Sequence, residues 1–154
     1  MAAQPKRVIT EAPWIDLTYR VIGLAMELHN ELGPGHRESV YHNGLAIKMQ
    51  AAGLSFESEP YVAVTLEDGT EVKGQSPDFI VESTVIVELK AHVYTVSRDE
   101  QAQVIGYFAT FDECPVALYF NFGRSRLEYK RLFPPMAVQA YRREKWGSHA
   151  GGSG

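Results

Sequence analysis

Several features that define common protein classes are scarce or missing in this chain of 154 residues. The lone cysteine, Cys114, excludes an intrachain disulfide and favours a reducing compartment such as the cytoplasm. No apolar run approaches the ~20 residues that cross a bilayer, and no apolar segment follows Lys6-Arg7. We therefore expect neither a membrane span nor a signal peptide. The five histidines lack metal-ligand spacing, and no strand–turn–helix serine indicates a serine hydrolase.

An excess of positive charge is also missing, because the formal net charge is −4. A dedicated nucleic-acid-binding protein is usually basic, so the overall charge does not favour that function. A local basic patch is still compatible with this balance, since metal-binding carboxylates add to the negative count. Two clusters of basic residues are candidates for such a patch, although ordinary solvent-exposed charge explains both clusters at least as well. They are Arg124, Arg126, Lys130 and Arg131, and Arg142, Arg143 and Lys145.

Length and composition predict a single globular domain. Hydrophobic residues make up 45% of the chain and charged residues 22%, as in a protein with one ordinary core. Residues 1–12 show no periodicity, so we expect a flexible N-terminal arm. Residues 147–154 are a glycine- and serine-rich run typical of an appended linker, and we leave them out of the fold. The predicted domain spans residues 13–146.

Two helices precede the first strands. Apolar residues recur at helical spacing from Asp16 to Leu32, where Gly33 and Pro34 end the helix. His29 falls off the apolar stripe, which favours exposure to solvent, although its place near the glycine turn would also let it approach a site. A second helix is predicted from about residue 37 to residue 52.

Short β-branched runs after the second helix predict an antiparallel meander. Asp68-Gly69 is typical of a hairpin turn within it. The predicted strands are residues 55–58, 61–66, the segment after Asp68-Gly69, 76–81 and 85–90.

The C-terminal part alternates helices with strands. Ser97 opens a capping box and starts a helix to about Thr110. An apolar strand at 116–121, an alternating strand at 127–133 and a short basic helix at 138–146 follow. The expected fold is α/β, with a central mixed sheet of four or five strands flanked by helices. The helix of Gln103 should cross between the Lys90 strand and the Val116 strand.

Acidic residues interrupt the apolar runs 76–81 and 85–90, where buried strands normally carry none. Since side chains alternate along a strand, Glu88 and Lys90 share one face. If the three residues between the runs form a hairpin loop, Asp78 lies opposite Glu88. Opposed carboxylates destabilise the pair, so one should keep its proton to unusually high pH unless a divalent cation binds between them.

Asp78 followed by Glu88-Leu89-Lys90 resembles the core motif of PD-(D/E)xK nucleases, with Pro77 supplying its proline. Residues 35–41, Gly-His-Arg-Glu-Ser-Val-Tyr, are similar to the signature of one branch, the GxxExxY proteins. Further matches to that branch follow in order, and the resemblance spans about residues 22–133. These matches are Gln103, Tyr107 and Asn121-Phe122-Gly123.

The resemblance implies that the α/β fold is a restriction-endonuclease-like core and that it carries a metal site for phosphodiester hydrolysis. Asp78 and Glu88 would bind Mg²⁺ or Mn²⁺ with the main-chain carbonyl of Leu89, and Glu38 would add a ligand, through water. Without a metal, Glu38 would also suit the first turn of its helix, where the helix dipole favours a carboxylate.

The resemblance also assigns roles around the metal. Lys90 would orient or deprotonate the attacking water, or neutralise charge on the phosphate. Gln103 would position Lys90 or the phosphate, although a glutamine at the margin of an apolar stripe also suits an ordinary amphipathic helix. The secondary candidates are Tyr107, Tyr41, Gly35 and His29.

The resulting expectation is a nuclease that acts on nucleic acid, with DNA favoured over RNA, and that associates into a homo-oligomer. Self-association would combine patches that a small acidic domain lacks by itself. Two alternatives stay open. The first is a catalytically inactive nuclease fold used as a binding or assembly module. The second is a carboxylate-rich protein that binds a metal or a small ligand. The lysine of the motif counts against it, because a simple metal binder has no use for a cation beside its site.

Overall fold

A computed structural model describes residues 14–150 of the chain, and the side chains of residues 14–144. The predicted arm at residues 1–12 and residues 151–154 of the predicted linker lie outside the described residues. The elements are α1 (Trp14–Leu32), α2 (Glu38–Ala51), β1 (Phe56–Ser58), β2 (Ala63–Thr65), β3 (Glu71–Lys73), β4 (Phe79–Val81), β5 (Val85–Lys90), α3 (Arg98–Thr110), β6 (Val116–Asn121), β7 (Glu128–Leu132) and α4 (Met136–Ala150).

Five strands form a mixed sheet in the order β1-β4-β5-β6-β7. β5 and β6 run parallel, with Lys90 paired to Asn121, and the other neighbours are antiparallel. α3 connects the two parallel strands, because parallel neighbours need a crossover rather than a tight turn. The predicted α/β fold with a mixed sheet, and the crossover by the helix of Gln103, are confirmed.

The predicted continuous meander is wrong. β1 pairs directly with β4, with Phe56 opposite Val81, while β2 and β3 form a separate two-stranded ribbon. All three residues of β4 are buried, so its backbone groups need a partner strand on each side, and β1 supplies the second one. The turn of the ribbon at Asp68-Gly69 is as predicted, with Gly69 at a φ of +87°.

The sheet separates two hydrophobic cores. Val85, Val87 and Leu89 lie in the core formed with α1 and α2, whereas Ile86 lies in the core formed with α3. This alternation is the one predicted for β5. It leaves Glu88 and Lys90 on the α3 side of the sheet.

α1 and α2 pack closely at Gly44, where an added Cβ would lie 2.7 Å from a methyl carbon of Leu28. His29 is 6% exposed, and its Nε2 lies 2.8 Å from the carbonyl oxygen of Arg124. The expectation of a solvent-exposed His29 is therefore wrong, because the ring extends past the apolar stripe to the β6–β7 turn. Within the described residues, no helix is long and apolar enough to cross a membrane.

The capping box at the start of α3 is confirmed, with Ser97 and Glu100 as its two members. At the other end of α3, Arg142 of α4 donates hydrogen bonds to the carbonyls of Phe108 and Phe111, at 2.8 and 3.1 Å. Arg142 thus stabilises a helix terminus rather than lying free on a basic surface. α4 starts earlier and ends later than the predicted 138–146, and it includes the first residues of the predicted linker.

Candidate active site

The β4–β5 hairpin sets two carboxylates opposite each other. Phe79 pairs with Val87, so Asp78, immediately before β4, falls opposite Glu88. The predicted three-residue hairpin loop is confirmed, and its first two residues adopt positive φ. Asp78 and Glu88 therefore point from the same face of the sheet, as predicted.

Glu38 reaches this edge of the sheet from the N-terminus of α2. The chain turns into α2 through Gly35, whose φ of +103° is rarely available to other residues. Tyr41 is fully buried, donates its hydroxyl hydrogen to the carbonyl of Gly33 at 2.6 Å, and stacks on Phe122. The corner is thus tied to the core, which fixes the direction in which Glu38 leaves the helix.

Carboxylate oxygens of Glu38, Asp78 and Glu88, called here the acidic cluster, lie within 4.8 Å of one another. Both oxygens of Asp78 are engaged, with Oδ1 2.7 Å from Nδ1 of His42 and Oδ2 accepting from the N–H of Leu89 at 2.8 Å. Oε2 of Glu88 is buried and has no hydrogen-bond partner among the residues that the structure describes. Because such an atom is costly to leave unpaired, and Mg²⁺ and Mn²⁺ prefer carboxylate ligands, the cluster fits a divalent cation.

The protonation of the acidic cluster is strongly perturbed. Burial, followed by the negative charge of Asp78, raises the pKa of Glu88 to about 9. Burial also raises the pKa of Glu38, while the charge of Lys90 acts in the opposite direction. Closely spaced carboxylates cannot all ionise without a compensating positive charge. Such perturbed acids are typical of functional sites, although structural charge networks produce them too.

Three more predicted residues border the cluster from the α3 side of the sheet. Nζ of Lys90 lies 3.9 Å from Oε1 of Glu88. The hydroxyl of Tyr107 donates to the carbonyl of Ser76 at 3.1 Å and interacts with both Glu88 and Gln103. Burial raises the pKa of Tyr107, so this hydroxyl stays protonated and available as a donor. α3 therefore brings Gln103 and Tyr107 to the side of the cluster where Lys90 lies.

His42 contacts the cluster, and the sequence patterns did not identify it. Its Nδ1 bonds Asp78, its Nε2 lies 3.0 Å from Oγ of Ser58, and its ring stacks on Phe79 with centroids 4.3 Å apart. The hydrogen bond with Asp78 is the main cause that raises the pKa of His42. The spacing of four residues between Glu38 and His42 could have identified it from the sequence, because residues four apart share a helix face.

The remaining candidates lie around the cluster rather than in it. Gly35 and Tyr41 shape the corner before α2, and His29 contacts the carbonyl of Arg124 in the β6–β7 turn. The side chain of Leu89 is in the core, and its N–H bonds Asp78. Ligation by the Leu89 carbonyl stays a prediction.

The first predicted basic patch is divided. Arg124 donates from Nη1 to Oγ1 of Thr95 at 2.5 Å, beside the carboxyl end of β5. Arg131 instead donates from Nε to Oγ1 of Thr18 on α1 at 3.3 Å. Since the side chains of neighbouring residues in β7 point to opposite faces of the sheet, Lys130 and Arg131 cannot belong to one basic surface. Arg124 is the member of this patch that lies near the loop after Lys90.

Comparison with protein families gives one match, which agrees with this geometry. The model of the PD-(D/E)XK nuclease superfamily matches residues 15–132. That range includes the acidic cluster, Lys90, Gln103 and His42, and it ends at the last residue of β7. No curated protein matches the chain.

Proposed function

This chain belongs to the PD-(D/E)XK nuclease superfamily, and we propose that it is a metal-dependent nuclease that hydrolyses phosphodiester bonds of DNA. The observation that carries the proposal is the convergence of Glu38, Asp78 and Glu88 within 4.8 Å, with Lys90 beside them. A cation-binding set of acids next to a lysine is the arrangement that phosphodiester hydrolysis requires, because negative charge develops on the phosphate.

Glu38, Asp78 and Glu88 would hold Mg²⁺ or Mn²⁺, with the carbonyl of Leu89 as a further ligand. The bound cation would polarise a phosphoryl oxygen and lower the pKa of a coordinated water. Mg²⁺ usually takes few carboxylates and keeps several waters, so this set is sufficient. The unpaired Oε2 of Glu88 supports its assignment as a direct ligand.

The chain's own residues orient the reactants. The Lys90 ammonium would donate hydrogen bonds to the attacking water and to the phosphate, which offsets the negative charge of the transition state. The water oxygen would bond to phosphorus and release a proton to solvent, while the bond to the leaving sugar oxygen breaks and that oxygen takes up a proton from solvent. Gln103 and Tyr107, which contact each other, would hold Lys90 and the phosphate in place.

Within the superfamily we propose the GxxExxY branch. Gly35 supports this assignment with a φ of +103°, and Tyr41 supports it through its bond to Gly33. Together they set the direction in which Glu38 leaves the helix, so the glycine, the glutamate and the tyrosine of the motif each have a separate role. Gly35→Ala should therefore weaken metal binding through backbone strain in the corner, although the added methyl group would meet nothing within 4 Å.

The test is cleavage of plasmid DNA, single-stranded DNA and RNA, side by side, with Mg²⁺, Mn²⁺ or a chelator. Wild-type protein should cleave DNA with either metal and lose this activity with the chelator. Lys90→Ala should lose cleavage but keep its metal-induced thermal shift, since lysine is not a ligand. Lys73→Ala, on the exposed ribbon strand β3, is the matched control and should cleave normally. Equal cleavage by wild type and Lys90→Ala would trace the activity to a contaminant.

The same experiment separates the two alternatives. A binding or assembly module would bind nucleic acid without cutting it, with or without metal. A simple metal or small-ligand protein would show the thermal shift and bind no nucleic acid. The nuclease is favoured over the first alternative because no acid or lysine of the motif is replaced. It is favoured over the second because a simple metal site has no use for Lys90 beside Glu88.

We also propose that a second copy of the chain is a partner. The ribbon of β2 and β3 exposes Val64, Leu66 and Val72 on one side, with 47%, 48% and 44% of their surfaces accessible. An isolated two-stranded ribbon is marginally stable, and pairing with another ribbon would bury these side chains. Light scattering should give a mass above the 17.2 kDa of one chain, and Leu66→Lys should lower it. A monomeric wild type would contradict this.

A further inference from the structure

The β5–α3 loop, residues 91–97, presents exposed apolar side chains beside the acidic cluster. Val93 is 85% exposed and Tyr94 is 54% exposed. The loop starts directly after Lys90, and the charge of its His92 acts on the pKa of Glu38. The proposed hydrolytic chemistry uses neither Val93 nor Tyr94, so their position at the mouth of the site needs a separate explanation.

Tyr94 presents one ring face to solvent. Its other face stacks on the ring of His92, with centroids 4.5 Å apart and only 10° between the planes. Other exposed tyrosines within residues 14–144 lack such a partner, and they are Tyr19, Tyr61, Tyr129 and Tyr141. The stacked pair therefore makes a flat aromatic surface, open on the Tyr94 side.

The backbone of the loop is held rigidly in this position. Buried Asn121 accepts a hydrogen bond from the N–H of His92 at 2.8 Å and donates one to the carbonyl of Tyr94 at 2.9 Å. Glu100 pairs with Nε2 of His92 at 3.2 Å and accepts from the hydroxyl of Tyr94 at 3.4 Å. The backbone of His92 also packs directly against Gly123, since a Cβ at position 123 would lie 2.3 Å from the carbonyl oxygen of His92.

We propose that Tyr94 is the stacking platform for an unpaired nucleobase next to the phosphate that is cleaved. Every nucleobase has a flat π-face that stacks on an exposed aromatic ring. A fixed ring is an effective platform, because little conformational freedom is lost when the base binds. The neighbouring phosphate of the strand would pass the guanidinium of Arg124, which Thr95 of the same loop holds and which lies 3.7 Å from Oε2 of Glu128.

The inference rests on the proposed nuclease function and names its substrate class, single-stranded DNA or DNA with an unpaired base. Within an intact duplex both faces of each internal base are already covered by its neighbours, so away from the duplex ends no face is left for Tyr94.

The test measures binding of short DNA strands to the Lys90→Ala protein, in which cleavage is expected to be lost. The probes are a single strand with a fluorescent adenine analogue, the same sequence as a duplex, and the equivalent single-stranded RNA. Tyr94→Leu removes the ring, Tyr94→Phe keeps it without the hydroxyl, and Tyr19→Leu is the control on the outer side of α1, where Tyr19 is 75% exposed.

Tyr94→Leu should weaken single-strand binding by on the order of tenfold and abolish quenching of the fluorescent base, while duplex binding stays unchanged. Tyr94→Phe and Tyr19→Leu should keep both signals. Equal binding by the Leu and Phe variants at position 94, or an equal loss on duplex and single strand, overturns the inference while leaving the nuclease proposal standing. RNA binding that alone depends on Tyr94 overturns the DNA assignment. Failure to bind any probe overturns the inference, and the proposed function falls with it only if wild-type protein also fails to cleave DNA.

Discussion

Nδ1 of His42 lies 2.7 Å from Oδ1 of Asp78, in a hydrogen bond that ties α2 to the start of β4. The imidazole is itself held, because its Nε2 contacts Ser58 on β1 and its ring stacks on Phe79. Asp78 therefore has one oxygen fixed by a side chain and the other fixed by the N–H of Leu89. A carboxylate oriented in this way needs little rearrangement to accept a cation.

We predict that the Nδ1 hydrogen bond of His42, rather than its bulk, supports metal affinity. The amide nitrogen of asparagine occupies nearly the place of Nδ1, whereas that of glutamine reaches the place of Nε2. His42→Asn should keep near-wild-type Mn²⁺ affinity, and His42→Gln should lose about 10- to 100-fold. Titration calorimetry with Mn²⁺ measures both. Equal affinities of the Asn and Gln variants would show that the hydrogen bond to Asp78 is unimportant.

A second pair of variants separates the ligand role of Asp78 from its structural role. Asp78→Asn keeps a carbonyl oxygen for the N–H of Leu89 and removes the repulsion with Glu88, so the metal-free protein should melt near the wild-type temperature. Asp78→Ala leaves the N–H of Leu89 unpaired and should cost about 1–3 kcal/mol. Both should lose most of the thermal shift that Mg²⁺ produces.

Thermal melting with a chelator and with Mg²⁺ distinguishes these cases. If Asp78→Asn melts as low as Asp78→Ala without metal, the carboxylate serves mainly structure. A full Mg²⁺ shift in Asp78→Asn would remove this residue from the ligand set.

Local rules were enough to place Asp78 opposite Glu88 from the sequence. Alternation along the strand fixed the two faces of β5, and the loop length fixed the register, because a shift by one residue would move Asp78 to the other face. The corner before α2 was equally predictable, since Pro34 fixes its own φ and Gly35 allows the positive φ that a sharp turn needs. These features depend on residues close together in the chain.

Features that depend on packing between distant elements could not be predicted from the sequence. β1 skips β2 and β3 to pair with β4, a choice that alternation within each strand does not record. His42 enters the site only because α2 lies across the β1–β4 edge. His29 is buried by the β6–β7 turn, nearly a hundred residues away along the chain. In each case the partner is decided by tertiary contacts rather than by local periodicity.

The contact between Gly123 and His92 leads to a prediction on stability. A Cβ at position 123 would overlap the backbone of His92, with its carbonyl oxygen 2.3 Å away, and backbone atoms cannot move aside as a flexible side chain would. Gly123→Ala should therefore destabilise the fold by about 1–3 kcal/mol. Gly106→Ala is the control, because a Cβ there meets nothing within 4 Å. In the middle of α3 it should stabilise by about 0.5–1 kcal/mol.

Urea unfolding measures both glycine variants. The Gly123→Ala protein should also lose the Tyr94-dependent binding of single strands, since displacement of His92 tilts the ring stack. Unchanged stability of Gly123→Ala would mean that the loop after β5 moves freely, which contradicts its rigid attachment to Asn121.

The final prediction concerns the proton on Glu88. Its pKa is raised from an ordinary value of 4.5 to about 9, mainly by burial and then by Asp78, so the folded state holds this proton more tightly than the unfolded chain. The resulting stability is fully present below about 4.5 and is lost as the pH rises toward about 9. Metal-free wild type should therefore melt at progressively lower temperature across that window. Glu88→Gln, which stays neutral, should show a flatter profile. The difference between the two profiles reports the proton of Glu88 alone, because the titration of His42 contributes to both proteins.

Because a cation must displace the proton of Glu88, Mg²⁺ should bind wild type more tightly, and raise its melting temperature more, as the pH increases. Parallel melting profiles for wild type and Glu88→Gln in chelator would show that Glu88 is ionised in the metal-free fold.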